Sequence, residues 1–198
     1  MNSLTLALYL MSATALLGSP GPAIAALVVV GRAEGLASGL RYYAGLQLGL
    51  AVASAICAIG LSSLLTAIPS AIWILNILST GYLLYLAYKI ATAPVGLASG
   101  RKQMDSSVRA GVLLALTNPK AYVAFATLFA SRPIVNTSHG ADEAVKWILC
   151  VLVMLVVDIV WLLVGVSLHR AALRPAIERI LNVGLGATIL GAAAMAFI

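Results

Sequence analysis

The chain has 198 residues, of which 62% are hydrophobic and 9% charged, and its net charge is +6. About a quarter of the residues in a soluble globular domain are charged, so a chain with a mean hydropathy of +1.06 is predicted to be integral to a membrane. Its basic residues lie in short loops and not in a stripe with interleaved aromatic residues, which argues against a nucleic-acid partner.

Six apolar segments each reach the roughly 20 helical residues that cross a 30 Å hydrocarbon core. The predicted fold is therefore an all-α integral membrane protein with six transmembrane helices, forming a single domain over residues 1–198. The predicted spans are 4–30, 39–65, 70–91, 110–130, 145–168 and 177–197.

The first span is interrupted by Ser19, Pro20, Gly21 and Pro22. Proline inside a helix removes a hydrogen bond and clashes with the preceding turn, which costs about 3 kcal/mol or more, and lipid offers no water to the freed carbonyls. N–H groups after the break favour an anion, and carbonyls before it favour a cation, so a zwitterion suits both. A plain proline kink is the alternative interpretation. Because the segment lacks a preceding Lys or Arg and its apolar character resumes after Pro22, we interpret it as a broken span and not as a cleaved leader.

Glycines recur through residues 31–49, which favours close packing of helix backbones and is compatible with a homodimer. Gln47 in the second span and Asn182 near the start of the sixth are polar at depth. Each could line a cavity, or could form a hydrogen bond that joins two helices.

The fourth span is interrupted by Asn118, Pro119 and Lys120. Residues 121–130 alone are too short to cross the bilayer, so the break lies within the membrane. About ten residues, or about 15 Å, separate Lys120 from either end of the span, which is too far for its side chain to reach water easily. Lys120 could pair with Asp158, either as a structural pair only or within the transport site, or it could bind a substrate carboxylate.

Asp158 lies midway along the fifth span and is the one acidic residue of the sequence well inside any span. Placing a carboxylate there costs on the order of 2.5–3.5 kcal/mol. Because burial and neighbouring charges tune how readily a carboxylate binds a proton, Asp158 is a candidate proton or substrate-amine site. A structural ion pair or a hydrogen bond between helices is the alternative.

Loop charges predict the orientation of the chain in the membrane. Nine basic residues fall in the loops that follow the odd-numbered spans and two in the opposite loops, so the first set is predicted to be cytoplasmic and both termini extracytoplasmic. Three spans per half, over residues 1–92 and 108–198, with a proline break opening each half, predict an inverted repeat. The nine residues are Arg32, Arg41, Lys89, Arg101, Lys102, Arg109, Arg170, Arg174 and Arg179, and the two are Arg132 and Lys146.

Several short motifs together resemble the LysE/RhtB family of bacterial amino-acid exporters. They are the Ser19-Pro20-Gly21-Pro22 turn, the glycine-spaced stretch 31–49, the Gly81-Tyr82-Leu83-Leu84-Tyr85-Leu86 segment, the Asn118-Pro119-Lys120-Ala121 turn, the Val157-Asp158-Ile159-Val160-Trp161 segment and the Leu181-Asn182 pair. The resemblance implies export of an amino acid or a close derivative across the inner membrane, driven by the proton gradient. It carries over to the two proline turns and Asp158, and a single deep acid favours a neutral amino acid over lysine.

Two alternatives to amino-acid export are a metal-ion exporter and an enzyme. A divalent metal-ion exporter of a related fold needs clustered His, Cys, Asp or Glu, whereas His139 and His169 lie in or beside loops, so no metal or other cofactor is expected. Cys57 and Cys150 are interpreted as buried hydrophobic residues and not as a disulfide. No Ser/His/Asp trio shares one depth, so the protein is not expected to be an enzyme.

Overall fold

The computed structural model describes residues 3–19, 21–60, 105–135, 138–170 and 175–194, with the single positions 77, 81, 84, 85, 87, 88, 91 and 92. Within these residues the secondary structure is helical, without strands, which confirms the all-α prediction. Most of the predicted third span, together with Lys89, Arg101, Lys102 and Arg174, lies outside the described residues. The helices are α1 Ser3–Gly18, α2 Pro22–Ala58, α3 Val108–Leu116, α4 Pro119–Phe129, α5 His139–Arg170 and α6 Pro175–Ala194.

Among the described residues, two helical stretches are long and apolar enough to cross a membrane: Pro22–Ala58 and His139–Leu168. The pair α3 and α4, bent by 59° at their junction, counts as a third if it forms one broken span. The break that the sequence predicts in the fourth span is therefore present. Six spans in an inverted repeat, and the division into two halves, stay predictions.

Helix α2 contains 37 residues, which at 1.5 Å per residue would be about 55 Å long if straight. It is interrupted at Gly35, where φ is 76° and ψ is −169°. Such a positive φ is accessible to glycine because it has no Cβ, and an added Cβ there would meet no atom within 4 Å. The backbone angle, and not crowding, therefore requires glycine at this point, between the predicted first and second spans.

Glycines bring the backbones of neighbouring helices into direct contact. A Cβ added at Gly45 would lie 2.0 Å from the carbonyl oxygen of Val108, and one added at Gly111 would lie 2.4 Å from that of Tyr42. A Cβ added at Gly165 would lie 2.4 Å from the carbonyl oxygen of Val28. Helix α2 is thus packed tightly against both α3 and α5, as the glycine spacing indicates.

A buried ion pair within the first turns of α5 contacts the end of α4. Lys146 is 1% exposed, and its Nζ lies 2.9 Å from Oδ2 of Asp142. The same Nζ donates to the carbonyl oxygens of Phe129 at 3.1 Å and Ser131 at 3.0 Å. A lysine at this position satisfies carbonyls that a helix C-terminus leaves without partners.

Asp142, the acidic partner of this ion pair, binds the backbone of the segment between α4 and α5. Asp142 Oδ1 accepts the backbone N–H groups of Ile134 at 2.6 Å and Val135 at 2.9 Å. Tyr9 of α1 donates its hydroxyl to the carbonyl oxygen of Lys146 at 3.0 Å. From the sequence, Lys146 is counted with the loop before the fifth span and Lys120 is the deepest cation. In the structure Lys146 lies within α5, which begins six residues before the predicted span, and it is buried against Asp142 and the end of α4.

Candidate functional site

The breaks in the two proline-interrupted segments face each other. The Nζ of Lys120, on the first turn of α4, donates a hydrogen bond to the carbonyl oxygen of Ser19, in the gap between α1 and α2. A Cβ added at Gly21 would lie 2.7 Å from Cδ of Lys120. Pro20, the remaining residue of the first turn, lies outside the described residues. The lysine side chain therefore crosses from one helix break to the other.

Each break starts a new helix without a side-chain cap. Gly21, the N-cap of α2, has no side chain that could cap the helix. Asn118, the N-cap of α4, makes no capping hydrogen bond with its side chain. Pro22 and Pro119 occupy the first helical position, where the missing N–H of proline costs nothing. Both half-helices consequently begin with first-turn N–H groups that no side chain caps.

A partly open cavity, with a volume of about 30 Å³, lies where the breaks meet. Five of the residues predicted from the sequence line it: Gly21, Pro22, Asn118, Lys120 and Asp158. Apolar side chains, among them Leu16, Leu17, Leu50 and Met154, form much of the remaining wall. A mostly apolar pocket with a few convergent polar groups is typical of a small-molecule site.

Asp158 is 3% exposed and is held by an amide from α2. Gln47 Nε2 donates to Asp158 Oδ2 at 2.7 Å. Lys120 and Asp158 line the same cavity. Lys120 donates to the Ser19 carbonyl, and Asp158 accepts from the Gln47 amide. Of the two roles considered for Gln47, the structure shows the hydrogen bond between helices.

Asn118 carries an acceptor without a partner at the cavity wall. The residue is 3% exposed, and its Oδ1 has no hydrogen-bond partner. An asparagine at an N-cap commonly accepts a hydrogen bond from a first-turn N–H. In this orientation the Asn118 side chain does not make that stabilising hydrogen bond. A buried acceptor without a partner costs about 1–3 kcal/mol, and a functional site is one place where such a cost is retained.

The structure places the other predicted residues as follows. Pro119 is buried at the start of α4. Asn182 accepts a hydrogen bond from Nη1 of Arg32 at 2.8 Å, which joins α2 to α6, and it is not among the described residues that line the cavity. The polar group at the start of the sixth predicted span therefore has a helix-joining contact.

Sequence reasoning did not include Met154 among the cavity residues. Met154 lies one helical turn before Asp158, and the same spacing of four residues leads back through Cys150 and Lys146 to Asp142. All five are buried, so they form one face of α5. This spacing is a signal in the sequence that could have placed Met154 in the cavity and Lys146 in the interior. Cys150 is a free thiol, as expected.

Comparison with known proteins gives the family. The family model for LysE type translocators matches residues 14–198. An uncharacterised membrane protein of Pseudomonas aeruginosa is 32% identical over 130 residues, covering 61% of this chain and 60% of that protein. Proteins of Salmonella choleraesuis and Salmonella typhimurium named cysteine/O-acetylserine efflux protein are each 28% identical over 159 residues, covering 77% of this chain and 78% of their own length. No solved structure matches the chain at a significant level. The match over nearly the whole length shows that this chain belongs to the LysE type translocators, which are transporters and not enzymes.

Proposed function

We propose that this protein exports a small amino acid or a close derivative across the bacterial inner membrane, driven by the proton gradient. One observation carries the proposal: a single cavity is lined by the starts of two half-helices, a lysine and a buried carboxylate. Broken helices that meet near the middle of the membrane are typical of the binding sites of secondary transporters.

One part of the cavity suits a carboxylate. The first-turn N–H groups of α2 and α4 carry the positive ends of helix dipoles, which favour an anion. Lys120 adds the positive charge of its ammonium group, which also donates to the Ser19 carbonyl. The carboxylate of an amino acid would therefore bind between Lys120 and the starts of the two helices.

Another part of the cavity suits an ammonium group. Asp158 contributes a carboxylate, and Asn118 contributes an oxygen that has no other partner. In the proposed cycle, Asp158 alternates between binding the substrate amine and carrying a proton in the opposite direction. The two broken helices, one in each predicted half, would give alternating access to this cavity.

The wall of the cavity supports a substrate with an uncharged side chain. Lys120 and Asp158 are the charged residues among the described lining residues, and the backbone charges of a zwitterion would pair with both. The Salmonella relatives carry names that refer to cysteine and O-acetylserine. We therefore propose a small, uncharged and weakly polar amino acid of this kind.

The first prediction tests the site and its coupling together. Purified protein in proteoliposomes is supplied with radiolabelled O-acetyl-L-serine or L-cysteine, with L-lysine as the comparison substrate, and with an imposed pH gradient. We expect gradient-driven movement of a neutral substrate by the wild type. We expect Asp158→Asn to reduce it to the rate of empty vesicles, because an amide cannot carry the proton.

The control is Asp158→Glu, which keeps the titratable group and should retain part of the activity. Wild-type flux through Asp158→Asn would remove Asp158 from the mechanism. If the wild type transported lysine and neither neutral substrate, the proposal of a neutral substrate would be overturned.

A further inference from the structure

The hydrogen bond between Gln47 and Asp158 uses the amide nitrogen of Gln47 and leaves its amide oxygen without a partner. Gln47 Nε2 donates to Asp158 Oδ2 at 2.7 Å, but Gln47 Oε1 is buried and has no hydrogen-bond partner. Both side chains are buried, at 9% and 3% exposure. A buried polar atom without a partner costs free energy and requires an explanation.

A carboxyl group that gains and loses a proton supplies that explanation. The ionised form accepts hydrogen bonds only, whereas the protonated form also carries an O–H donor that needs an acceptor. The Gln47 amide contains one group of each kind, and a half-turn about its last torsion exchanges their positions. In the present arrangement Nε2 faces the carboxylate, and Oε1 is the acceptor that the protonated form would use.

We propose that Gln47 is a positioning residue that holds Asp158 in both protonation states, by rotating its amide so that either Nε2 or Oε1 faces the carboxyl group. This inference rests on the proposed function, because proton transport is the process that would require Asp158 to change state. Gln47 would not contact the amino-acid substrate; it would act through Asp158.

The backbone around Gln47 is held in place. A change in the protonation of Asp158 must therefore be accommodated by the side chain of Gln47. Gly45 and Gly49 flank Gln47. A Cβ added at Gly45 would lie 2.0 Å from the carbonyl oxygen of Val108, and one added at Gly49 would lie 2.6 Å from Cβ of Ala115. Contacts as close as these leave α2 little room to shift against α3. Rotation of a terminal amide needs no such shift.

Two further hydrogen bonds hold α2 against α5, one turn on either side of Gln47. Tyr43 donates its hydroxyl to the carbonyl oxygen of Leu155 at 2.9 Å. Trp147 donates Nε1–H to the carbonyl oxygen of Ala51 at 3.1 Å. Tyr43 therefore provides a matched control: removing its hydroxyl breaks a contact between the same two helices without altering the partner of Asp158.

Among the described residues, the charged group near Asp158 is Lys120 on α4, which lines the same cavity, and the titratable group on α2 is Tyr43, which contacts α5 one turn before Asp158. Lys120 favours the ionised carboxylate by its charge. Tyr43 is neutral and donates its hydroxyl to a backbone carbonyl. Both remain in a Gln47 variant, so a changed titration of Asp158 in that variant reports the loss of the amide.

The second prediction is tested by an infrared titration of the purified protein in lipid vesicles, with no amino acid present. The carboxyl stretching band that disappears in Asp158→Asn is assigned to Asp158 and followed with pH. In Gln47→Met we expect the midpoint of this band to move to higher pH by about one unit or more, because the ionised form loses a charge-assisted donor. We also expect the band to shift in frequency, because the protonated form loses its acceptor. Tyr43→Phe should leave the midpoint and the frequency at their wild-type values.

Folding of each variant is checked by monodisperse elution in detergent. If Gln47→Met does not elute as a single species, Gln47→Leu replaces it; it also removes both amide groups and should move the midpoint to higher pH for the same reason. A wild-type midpoint in the Gln47 variant, an equal shift in Tyr43→Phe, or no titrating band from Asp158 in the wild type would each overturn the inference. Because no substrate is used, a wild type that titrates as expected but moves no amino acid would overturn the proposed function alone.

Discussion

Gly21 lies where the side chain of Lys120 crosses the gap between α1 and α2. Its φ of −169° is ordinary extended backbone, so alanine is allowed there. The added Cβ would nevertheless lie 2.7 Å from Cδ and 3.0 Å from Nζ of Lys120. The crowded atoms belong to a flexible side chain, which can move without unfolding the protein. Gly21 thus keeps space for the lysine at the cavity wall.

The third prediction follows from this contact. Gly21→Ala should displace Lys120 from the Ser19 carbonyl and raise the KM for O-acetyl-L-serine by roughly tenfold, which corresponds to about 1.4 kcal/mol of lost binding. The matched control is Gly18→Ala, whose Cβ would lie at an ordinary 3.4 Å from Cγ1 of Val157. Transport assays on both variants decide the matter, and equal KM values would show that Lys120 does not contact the substrate.

At the scale of helices, α4 is attached at both ends by lysines. Lys120 joins its first turn to the break before α2, and Lys146 satisfies carbonyl oxygens at its last turn. By contrast, α3 is attached to α2 by direct backbone packing at Gly45 and Gly111. Within the broken pair, α4 thus has a polar contact at each end in addition to its buried apolar face, whereas the backbone of α3 packs directly against α2.

The fourth prediction concerns the buried ion pair. Lys146→Met removes one partner and leaves the Asp142 carboxylate, which is 3% exposed, with backbone donors alone. Breaking a buried pair in this way should lower the free energy of unfolding by about 3–5 kcal/mol. The double variant Asp142→Asn with Lys146→Met should recover part of the loss, since no charge is then left buried.

Thermal unfolding in detergent measures these variants, with Arg132→Gln as the control. Arg132 is exposed, so its replacement should change the free energy of unfolding by less than about 0.5 kcal/mol. If the double variant were as unstable as the sum of its single variants, the two side chains would not be coupled.

On the scale of the whole molecule, α1 and α5 contact each other at two points along their lengths. Tyr9 contacts Lys146 near the start of α5. Further along, the Trp161 indole donates to the carbonyl oxygen of Gly18 at 3.3 Å. The two helices therefore run in the same direction, which places the start of α1 on the same side as the segment before α5.

The fifth prediction tests which side this is. In a background of Cys57→Ser and Cys150→Ser, Ser138→Cys should react with a membrane-impermeant maleimide in intact cells, because the positive-inside rule places the segment before α5 outside. Ala37→Cys, in the predicted cytoplasmic loop, should react only after the cells are permeabilised. Both positions are exposed. The reverse labelling pattern would invert the predicted orientation.

The positions of the helix breaks could be predicted from the sequence, and the depth of Asn118, Lys120 and Asp158 in the membrane stays a prediction from it. Proline interrupts a helix by its own covalent structure, and the thickness of the bilayer converts a residue count into a depth. Both arguments depend on residues close together in the chain. They therefore hold without knowledge of how the helices pack.

The partners of these residues could not be predicted in the same way. The bond from Lys120 to the Ser19 carbonyl and the bond from Gln47 to Asp158 each join residues more than 100 positions apart. Which atoms meet depends on the rotation and approach of each helix, and these follow from packing of many side chains and glycines together. The same packing decides which carbonyl oxygens Lys146 meets, those of Phe129 and Ser131.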